Sequence, residues 1–337
     1  MPEARPVVAL TLGDPASVGP EIVAKALASG GLSELCVPVV VGDGRFLERA
    51  LATTGAPLEV VRVERPGAAT GAPGRAEVVD VPATGHETIA WGRIQAAAGR
   101  AAFESIRVSI ELALAGEVDA VATAPVNKEA FRAAGVTQIG HTEIFGELTG
   151  TPEPLTLFEV KGLRVFFLTR HLSLAEAIRR ITAARTLDAL RRCDAALRTL
   201  GVATPRIAVA ALNPHGGEHG LFGDEEEREL VPAVAAARAE GLDARGPHPA
   251  DSVFWHAAEG RFDAVLSLYH DQGHIAAKMY DFERTVSITC GLPFLRTSVD
   301  HGTAFDIAGT GRASAVSMVE AVRAAARYAF AVRPRPS

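Results

Sequence analysis

The chain contains few of the residues on which several classes of protein depend. Cysteine occurs only three times, at Cys36, Cys193 and Cys290. These positions are far apart and include no Cys-x-x-Cys pair, which excludes a cysteine zinc site and indicates reduced thiols, as in the cytoplasm. A metal ion would therefore have to bind to histidine and carboxylate side chains.

Aromatic residues and lysines are also scarce. Aromatic residues make up 6% of the chain, too few for a surface that stacks on single-stranded nucleic acid. Only four of the 34 basic residues are lysines, the arginines are scattered, and the net charge is −6. Because no basic patch results, neither nucleic acid nor an anionic membrane is expected as a partner.

Long hydrophobic runs are missing too, although 48% of the residues are hydrophobic. No stretch approaches the roughly 20 apolar residues of a membrane span. The N-terminal run from Val7 to Leu12 is too short for the core of a signal peptide, and Asp14 and Pro15 follow it closely. We therefore expect a cytoplasmic protein.

The chain does contain a regular alternation of apolar stretches with stretches of helical periodicity. The first strand candidate, Pro6 to Leu12, precedes a loop and a helix from Pro20 to Leu27. Further strands are predicted at 36–41, 58–63, 119–125, 155–160, 164–168, 206–212 and 263–268, with helices at 45–53, 95–115, 183–200 and 225–240, and a surface excursion at 66–75. This order predicts an α/β fold with a largely parallel sheet covered on both faces.

Histidines follow three of the predicted strands, at His171, His215 and His270. In parallel α/β sheets, functional residues gather at the carboxyl ends of the strands. Neutral imidazoles bind divalent metals, and three from separate loops leave coordination positions free for a substrate. Each of them could instead be an ordinary hydrogen-bonding loop residue.

Two further histidines lie four residues after members of this set, at His219 and His274. On a helix that spacing could make paired ligands. We expect Gly216 and Gly217 to separate the first pair and Gly273 to interrupt the second. His219 and His274 are therefore not included among the predicted ligands.

The stretch from Tyr269 to Thr303 is dense in ionisable groups next to apolar segments. It includes Lys278 and Arg296, and buried charges are costly unless each has a partner or a task. The two cations could form structural ion pairs or bind an anionic substrate. The glycines do not form a dinucleotide-binding fingerprint or a phosphate loop, so motifs alone do not show a nicotinamide site.

These motifs together resemble the 4-hydroxythreonine-4-phosphate dehydrogenase family, which includes related four-carbon sugar-acid phosphate dehydrogenases. The signature consists of Tyr269-His270-Asp271-Gln272-Gly273, Gly291-Leu292-Pro293 and Arg296-Thr297-Ser298-Val299-Asp300-His301-Gly302-Thr303. Upstream matches are Gly13-Asp14-Pro15, Gly19-Pro20-Glu21, Gly140-His141-Thr142-Glu143, Thr169 with His171-Leu172, Leu212-Asn213-Pro214-His215 and Pro249-Ala250-Asp251. They cover nearly the whole chain in one order.

The resemblance implies a fold similar to isocitrate and isopropylmalate dehydrogenases, with two α/β/α lobes around a central cleft. The first lobe would comprise 1–140 plus about 300–337, and the second 141–299 would carry most metal-site residues. The family binds NAD or NADP without a Rossmann fingerprint. Its members form homodimers that share site residues across the interface.

The resemblance also implies roles for residues. His171, His215 and His270 match positions that bind one divalent ion, which could be Zn, Mg, Co or Mn. The positions that match the substrate site are His141, Thr142, Lys278, Ser287 and Arg296, although the family usually has Asn in place of Ser287. Asp251 and Asp271 are candidates for orienting ligands or moving protons.

The expected activity is metal-dependent, NAD(P)-linked oxidation, with decarboxylation, of a phosphorylated four-carbon 3-hydroxy acid. The substrate would be 4-phosphohydroxy-L-threonine, a vitamin B6 (pyridoxine) precursor, or D-threonate or D-erythronate 4-phosphate. Gly273-His274-Ile275 looks nearer the sugar-acid branch, so 2-hydroxy substrates are expected to be accepted at least as well as the 2-amino one. The alternatives are a cofactor-independent metallohydrolase and a non-catalytic protein that binds phosphorylated sugar acids.

Overall fold

A computed structural model describes residues 5–333 of the chain. These residues form twelve strands, numbered along the chain: β1 Val7–Thr11, β2 Val37–Gly42, β3 Glu59–Val63, β4 Arg75–Asp80, β5 Ala120–Thr123, β6 Leu155–Val160, β7 Leu163–Phe167, β8 Arg206–Ala210, β9 Asp243–His248, β10 Ala264–Ser267, β11 Val286–Cys290 and β12 Leu295–Val299.

The same residues contain twelve α-helices: α1 Gly19–Ala28, α2 Leu32–Leu35, α3 Gly44–Thr54, α4 Ala96–Ala115, α5 Lys128–Ala133, α6 His141–Leu148, α7 Leu174–Arg179, α8 Ala183–Thr199, α9 Val231–Ala239, α10 Ala250–Ala258, α11 His270–Tyr280 and α12 Val316–Val332. None of these helices is long and apolar enough to cross a membrane.

The chain divides into two compact units. One runs to Pro154 and resumes at Gly291, and the other is the single segment Leu155–Cys290. The sequence placed the boundaries near residues 140 and 300, which would put His141, Thr142 and Arg296 in the second lobe. In the structure these three residues belong to the first unit. The predicted first lobe also includes residues 1–4 and 334–337, which lie outside the described residues.

The first unit contains six parallel strands in the order β3-β4-β2-β1-β5-β12. Ala9 and Val121 are paired in register, and both pack in a core cluster with Ile106 of α4. On the opposite face, the Thr297 hydroxyl donates a hydrogen bond of 2.8 Å to the Ala321 carbonyl of α12. Helices therefore cover both faces of these strands, as the sequence predicted.

The second unit contains strands in the order β11-β6-β7-β10-β8-β9, of which β11, β6 and β7 pair antiparallel. Val165 and Val265 on one face pack with Val253 of α10 and Ala277 of α11. The first residue of the unit, Leu155, is paired in register with its last residue, Cys290. The two ends of the unit thus lie side by side. The strands and helices of both units confirm the expected α/β class.

Strand β4 begins at Arg75, within the segment 66–75 that the sequence indicated to be only a surface excursion. Its Glu77 looks like a surface residue in the sequence, yet its side chain is buried. The carboxylate accepts hydrogen bonds from the backbone N–H groups of Thr70 and Gly71 at 2.9 and 2.7 Å. The glutamate orders the preceding loop, a role that only non-local contacts reveal.

Candidate functional site

Helix α11 begins directly after β10 and places three basic residues on one face. His270, His274 and Lys278 are spaced by four residues, so they follow one another along the helix surface. The expectation that Gly273 interrupts a helix here is wrong. A Cβ at Gly273 would lie 2.6 Å from both the Phe167 ring and the Ser267 hydroxyl, so glycine allows α11 to lie close against the sheet.

His270 is held by the residue that follows it. Its Nδ1 lies 2.6 Å from Oδ1 of Asp271. A carboxylate accepts hydrogen bonds, so Nδ1 carries a proton, and in the neutral ring this leaves the lone pair on Nε2. Histidines that bind metals are commonly oriented by such a carboxylate, and Asp271 occupies the corresponding place here.

His171, four residues beyond β7, lies beside His270. Their ring centroids are 6.0 Å apart. Two imidazoles bound tetrahedrally to one zinc ion, with zinc–nitrogen distances of about 2.1 Å, have ring centroids roughly 5 Å apart. The separation of the two rings is therefore close to the one that a shared ion requires.

Both histidines line a cavity of about 270 Å³ in the second unit. Its lining combines these imidazoles with a carboxylate, a guanidinium, a phenol and aliphatic side chains: Arg170, His171, Leu172, Leu174, Ala177, Tyr269, His270 and Asp271. Asp251, by contrast, is exposed in the first turn of α10 and is not part of this lining.

His215 lies in the loop after β8, in a short 3-10 turn from Pro214 to Gly217. Its side chain is 71% exposed, and its Nδ1 is 3.5 Å from the Glu218 carboxylate. Within residues 5–333 no group of three or more His, Cys, Asp or Glu side chains is close enough to hold a metal ion. The structure thus brings together two of the three predicted ligands and leaves His215 apart from them.

The loop that carries His215 is strained. His215, Glu218 and His219 all have left-handed φ values, 55°, 45° and 56°. Such conformations cost a non-glycine residue on the order of 1 kcal/mol or more and cluster at functional sites. The strain makes this loop a candidate functional segment. The predicted break between His215 and His219 is confirmed.

Glu226 ties down the start of this loop. It is buried, and its Oε1 accepts hydrogen bonds from the backbone N–H groups of Leu212 and Asn213 at 2.8 and 2.7 Å. Its Oε2 accepts from the Asn213 side-chain amide at 2.9 Å. Sequence reasoning missed Glu226, because in the run from Asp224 to Glu227 it looks like one more surface charge.

Ser287 lies on the face of the sheet against which α11 packs. Ser287 in β11 pairs directly with Phe158 in β6, so their side chains share one face of the sheet. The Phe158 ring packs edge-on against the His274 ring at 4.4 Å between centroids. Lys278, one turn beyond His274, has its Nζ 5.5 Å from the centroid of Phe282.

The first unit contains a buried cationic site. Arg296 in β12 is 4% exposed, donates to the Thr123 hydroxyl at 2.7 Å, and lies 5.3 Å from the centroid of the Phe145 ring. His141 begins α6 together with Thr142. Burial, reinforced by the Arg296 charge, holds the pKa of His141 well below its usual value.

The His141 ring also carries an unsatisfied atom. Its Nε2 is buried and has no hydrogen-bond partner among the residues that the structure describes. A buried polar atom of this kind usually serves a ligand or a water molecule. A neutral imidazole beside a buried guanidinium is suited to an anionic group that also offers a hydrogen bond.

Residues 34–325 match the model of the family described as pyridoxal phosphate biosynthetic protein PdxA. The chain belongs to this family. A Symbiobacterium thermophilum protein, provisionally named D-threonate 4-phosphate dehydrogenase, is 65% identical over 331 residues, covering 98% of this chain and 99% of the relative. A Halalkalibacterium halodurans protein of the same provisional name is 54% identical over 325 residues, with coverages of 96% and 97%.

Solved structures agree with the family assignment. The crystal structure of 4-hydroxythreonine-4-phosphate dehydrogenase from Klebsiella pneumoniae has a TM-score of 0.90 and 45% identity, covering 97% of this chain and 99% of that chain. The family resemblance and the fold expected from the sequence are confirmed. The chain is accordingly an enzyme, an oxidoreductase of the dehydrogenase class.

Proposed function

We propose that this member of the PdxA family is a metal-dependent, NAD(P)-linked dehydrogenase of a phosphorylated four-carbon 3-hydroxy acid. The observation that carries the proposal is the pair His171 and His270, which line one cavity with their ring centroids 6.0 Å apart, with Asp271 hydrogen-bonded to His270. Two neighbouring imidazoles with a supporting carboxylate are suited to a divalent ion. A dehydrogenase that removes hydride from an alcohol benefits from such an ion.

His171, His270 and His215 would hold the ion, His215 arriving from the strained loop after β8. When bound, the ion supplies Lewis acidity that lowers the pKa of the substrate alcohol. Asp271 keeps the His270 ring in one tautomer, and Glu226 keeps the His215 loop in place. Replacing His171 or His270 by Ala should remove the ion from the purified protein, as measured by elemental analysis.

The anionic ends of the substrate would be bound by basic residues. Arg296 and His141, with Thr142, offer a buried guanidinium and a neutral imidazole, and Lys278 with Ser287 offers a second cationic site. A guanidinium favours bidentate contact with phosphate or carboxylate. Arg296→Lys and Lys278→Met should each raise KM at least tenfold while cofactor binding, followed by fluorescence, stays unchanged.

The proposed reaction has two steps. The C3 carbon gives a hydride to NAD(P)+ and the C3 hydroxyl gives up its proton, which produces a β-keto acid and NAD(P)H. The C1–C2 bond then breaks, carbon dioxide leaves, and C2 takes up a proton. Asp251 and Asp271 are the candidates for moving these protons, and Asp271 is the better placed because it lines the cavity.

The decisive measurement is absorbance in the nicotinamide band with a panel of phosphorylated four-carbon acids. We expect a rise with D-threonate or D-erythronate 4-phosphate at a rate at least equal to that with 4-phosphohydroxy-L-threonine. A hundredfold preference in kcat/KM for the 2-amino substrate, about 2.7 kcal/mol, would contradict this substrate choice. Phosphate release without any absorbance change would instead indicate a hydrolase.

We also propose a homodimer. The outer face of α11 and the residues after it expose large apolar side chains, with Met279 81%, Phe282 63% and Ile275 61% exposed. Apolar side chains grouped in this way are typical of a protein interface. Met279→Lys should shift the mass measured by light scattering from dimer to monomer, whereas Leu221→Lys, at another exposed position, should not.

A further inference from the structure

The rings of His270 and His274 lie face to face. Their centroids are 3.7 Å apart and their planes differ by only 13°. Both residues are on the inner face of α11, one turn apart. His274 is not among the residues that the sequence predicts to bind the metal, and it has no role in the proposed reaction. The stacking contact therefore requires a reason of its own.

The His274 ring is held from several sides. Its Nδ1 lies 2.8 Å from the His270 carbonyl oxygen. A carbonyl can only accept, so Nδ1 of His274 carries a proton. The aromatic rings of Phe158 and Phe167 pack against it with centroid distances of 4.4 and 4.5 Å. The His274 ring is therefore held in a single orientation by a hydrogen bond and two phenyl rings.

The His274 ring in turn limits how the His270 ring can rotate. The His270 side chain is 41% exposed, so surrounding packing alone does not hold it. His274 covers one face of its ring and Asp271 binds its Nδ1, which leaves Nε2 as the available ring nitrogen. Together the two contacts define both the tilt of the ring and the tautomer.

We propose that His274 is a positioning residue that fixes the His270 imidazole for metal binding by stacking on it. The inference rests on the proposed metal site. Stacking and steric cover need only an aromatic ring, whereas direct metal ligation needs a nitrogen. The two roles are therefore separable by substitution with phenylalanine, which keeps the ring and its packing.

The test measures the Kd of the full-length protein for Mn²⁺ by calorimetry, and the visible absorption spectrum with Co²⁺. We expect His274→Leu to weaken Mn²⁺ binding roughly 10- to 100-fold, as loss of residues that support metal ligands does, and to change the Co²⁺ band positions. His274→Phe should remain within about fivefold of the parent. A matched control, His256→Leu on α10 in the same unit, should leave both readouts unchanged.

The band positions separate positioning from a general loss of stability, because partial unfolding lowers the loaded fraction without altering the spectrum of the loaded form. If His274→Leu does not fold, His274→Gln, which lacks a ring, takes its place in the comparison. Parent-like Kd and spectrum in the variant without a ring would refute the proposal, provided that His270→Ala loses the ion. His274→Phe as weak as His270→Ala would also refute it, because His274 would then be a ligand.

A third result would refute the metal site itself. His270→Ala with the Kd of the parent would show that the ion binds elsewhere, and the role given to His274 would fail with it. The failure of the positioning role alone and the failure of the site are thus distinguished by the His270→Ala variant.

Discussion

Asp14 shows how much a single buried group can matter. It follows β1 and is fully buried; its Oδ1 accepts from the Ala16 backbone N–H at 2.8 Å. Its Oδ2 is buried and has no hydrogen-bond partner among residues 5–333. Burial raises the pKa of this carboxyl from 3.8 to about 6, only partly opposed by the Ala16 hydrogen bond. At neutral pH the folded chain therefore carries a poorly solvated carboxylate.

The raised pKa predicts how stability depends on pH. Because the folded pKa exceeds the unfolded one, Asp14 stabilises the fold fully below about pH 4, and this contribution is lost as the pH rises through about 6. Asp14→Asn should increase the free energy of unfolding at pH 7.5, by up to about 3 kcal/mol at 1.36 kcal/mol per unit. At pH 4 the same substitution should change the free energy of unfolding little.

Urea unfolding of Asp14→Asn and the parent between pH 4 and 8 measures this difference. Asp188→Asn, at a mostly exposed carboxylate on α8, is the control and should show no such pH-dependent gain. A loss of stability at pH 7.5 in Asp14→Asn would show that the charged carboxylate has a stabilising partner in the folded protein.

The candidate metal site lies on two elements, helix α11 and the loop after β8. Each of them depends on one residue whose structural role could not be predicted from its residue type. In α11 that residue is Gly273. Alanine in a helix interior is favoured over glycine by about 1 kcal/mol. Yet a Cβ here would lie 2.6 Å from Phe167 and Ser267 and 2.9 Å from Val165. Overpacking of this kind costs typically 1 to 3 kcal/mol, so its cost should exceed the stability gained from alanine's higher helix propensity.

Gly273→Ala should therefore lower the midpoint of urea unfolding and, because α11 must move outward, weaken metal binding. Gly67→Ala is a suitable control, since a Cβ at Gly67 would meet nothing within 4 Å. That variant should be neutral or slightly stabilising. If Gly273→Ala proved more stable than the parent, the close packing of α11 against β7 and β10 would be wrong.

The loop after β8 depends on Glu226, which begins the helical turn Glu226–Leu230 and accepts hydrogen bonds from the loop. Glu226→Ala leaves the N–H groups of Leu212 and Asn213 without their acceptor, each at a cost of about 1 to 3 kcal/mol. We expect a loss of roughly 3 kcal/mol in the free energy of unfolding and weaker metal binding through His215. Glu226→Gln, which keeps one acceptor oxygen, should lose less. Glu227→Ala, at the exposed neighbour, should lose almost nothing.

At the scale of the whole molecule, the second unit is a continuous segment inserted into the first. Its ends meet because Leu155 and Cys290 are paired in register, and it has a core cluster of its own. All three predicted metal-binding histidines lie in it, whereas His141, Thr142 and Arg296 belong to the first unit. In the proposed function, the metal ligands and part of the substrate-binding set therefore belong to different units.

A fragment of residues 155–290 should consequently fold and bind Mn²⁺ without oxidising any substrate. Far-ultraviolet circular dichroism and calorimetry measure the two properties. The same fragment with His270→Ala is the control and should fold without binding the ion. A fragment that folds yet shows no affinity for Mn²⁺ would mean that the site requires residues of the first unit.

Much of this organisation could be predicted from the order of residues along the chain. The placement of His171, His215 and His270 after strands followed from local periodicity, and the strands at 155–160 and 206–210 were located nearly to the residue. Arg296 was singled out because a cation next to apolar residues needs a reason. The helix through Gly273 could not be predicted, since glycine's local preference opposes it and only its close contact with the sheet favours it.

The sequence by itself determined the α/β class, the family and the order of the chemical motifs, because these depend on periodicity and on residue identity along the chain. Tertiary structure decided which of those residues act together. It buried Glu226 among exposed neighbours, stacked His274 on His270, and left His215 apart from the other two histidines. Such outcomes depend on contacts between segments distant in sequence, whose energies are not contained in any local pattern.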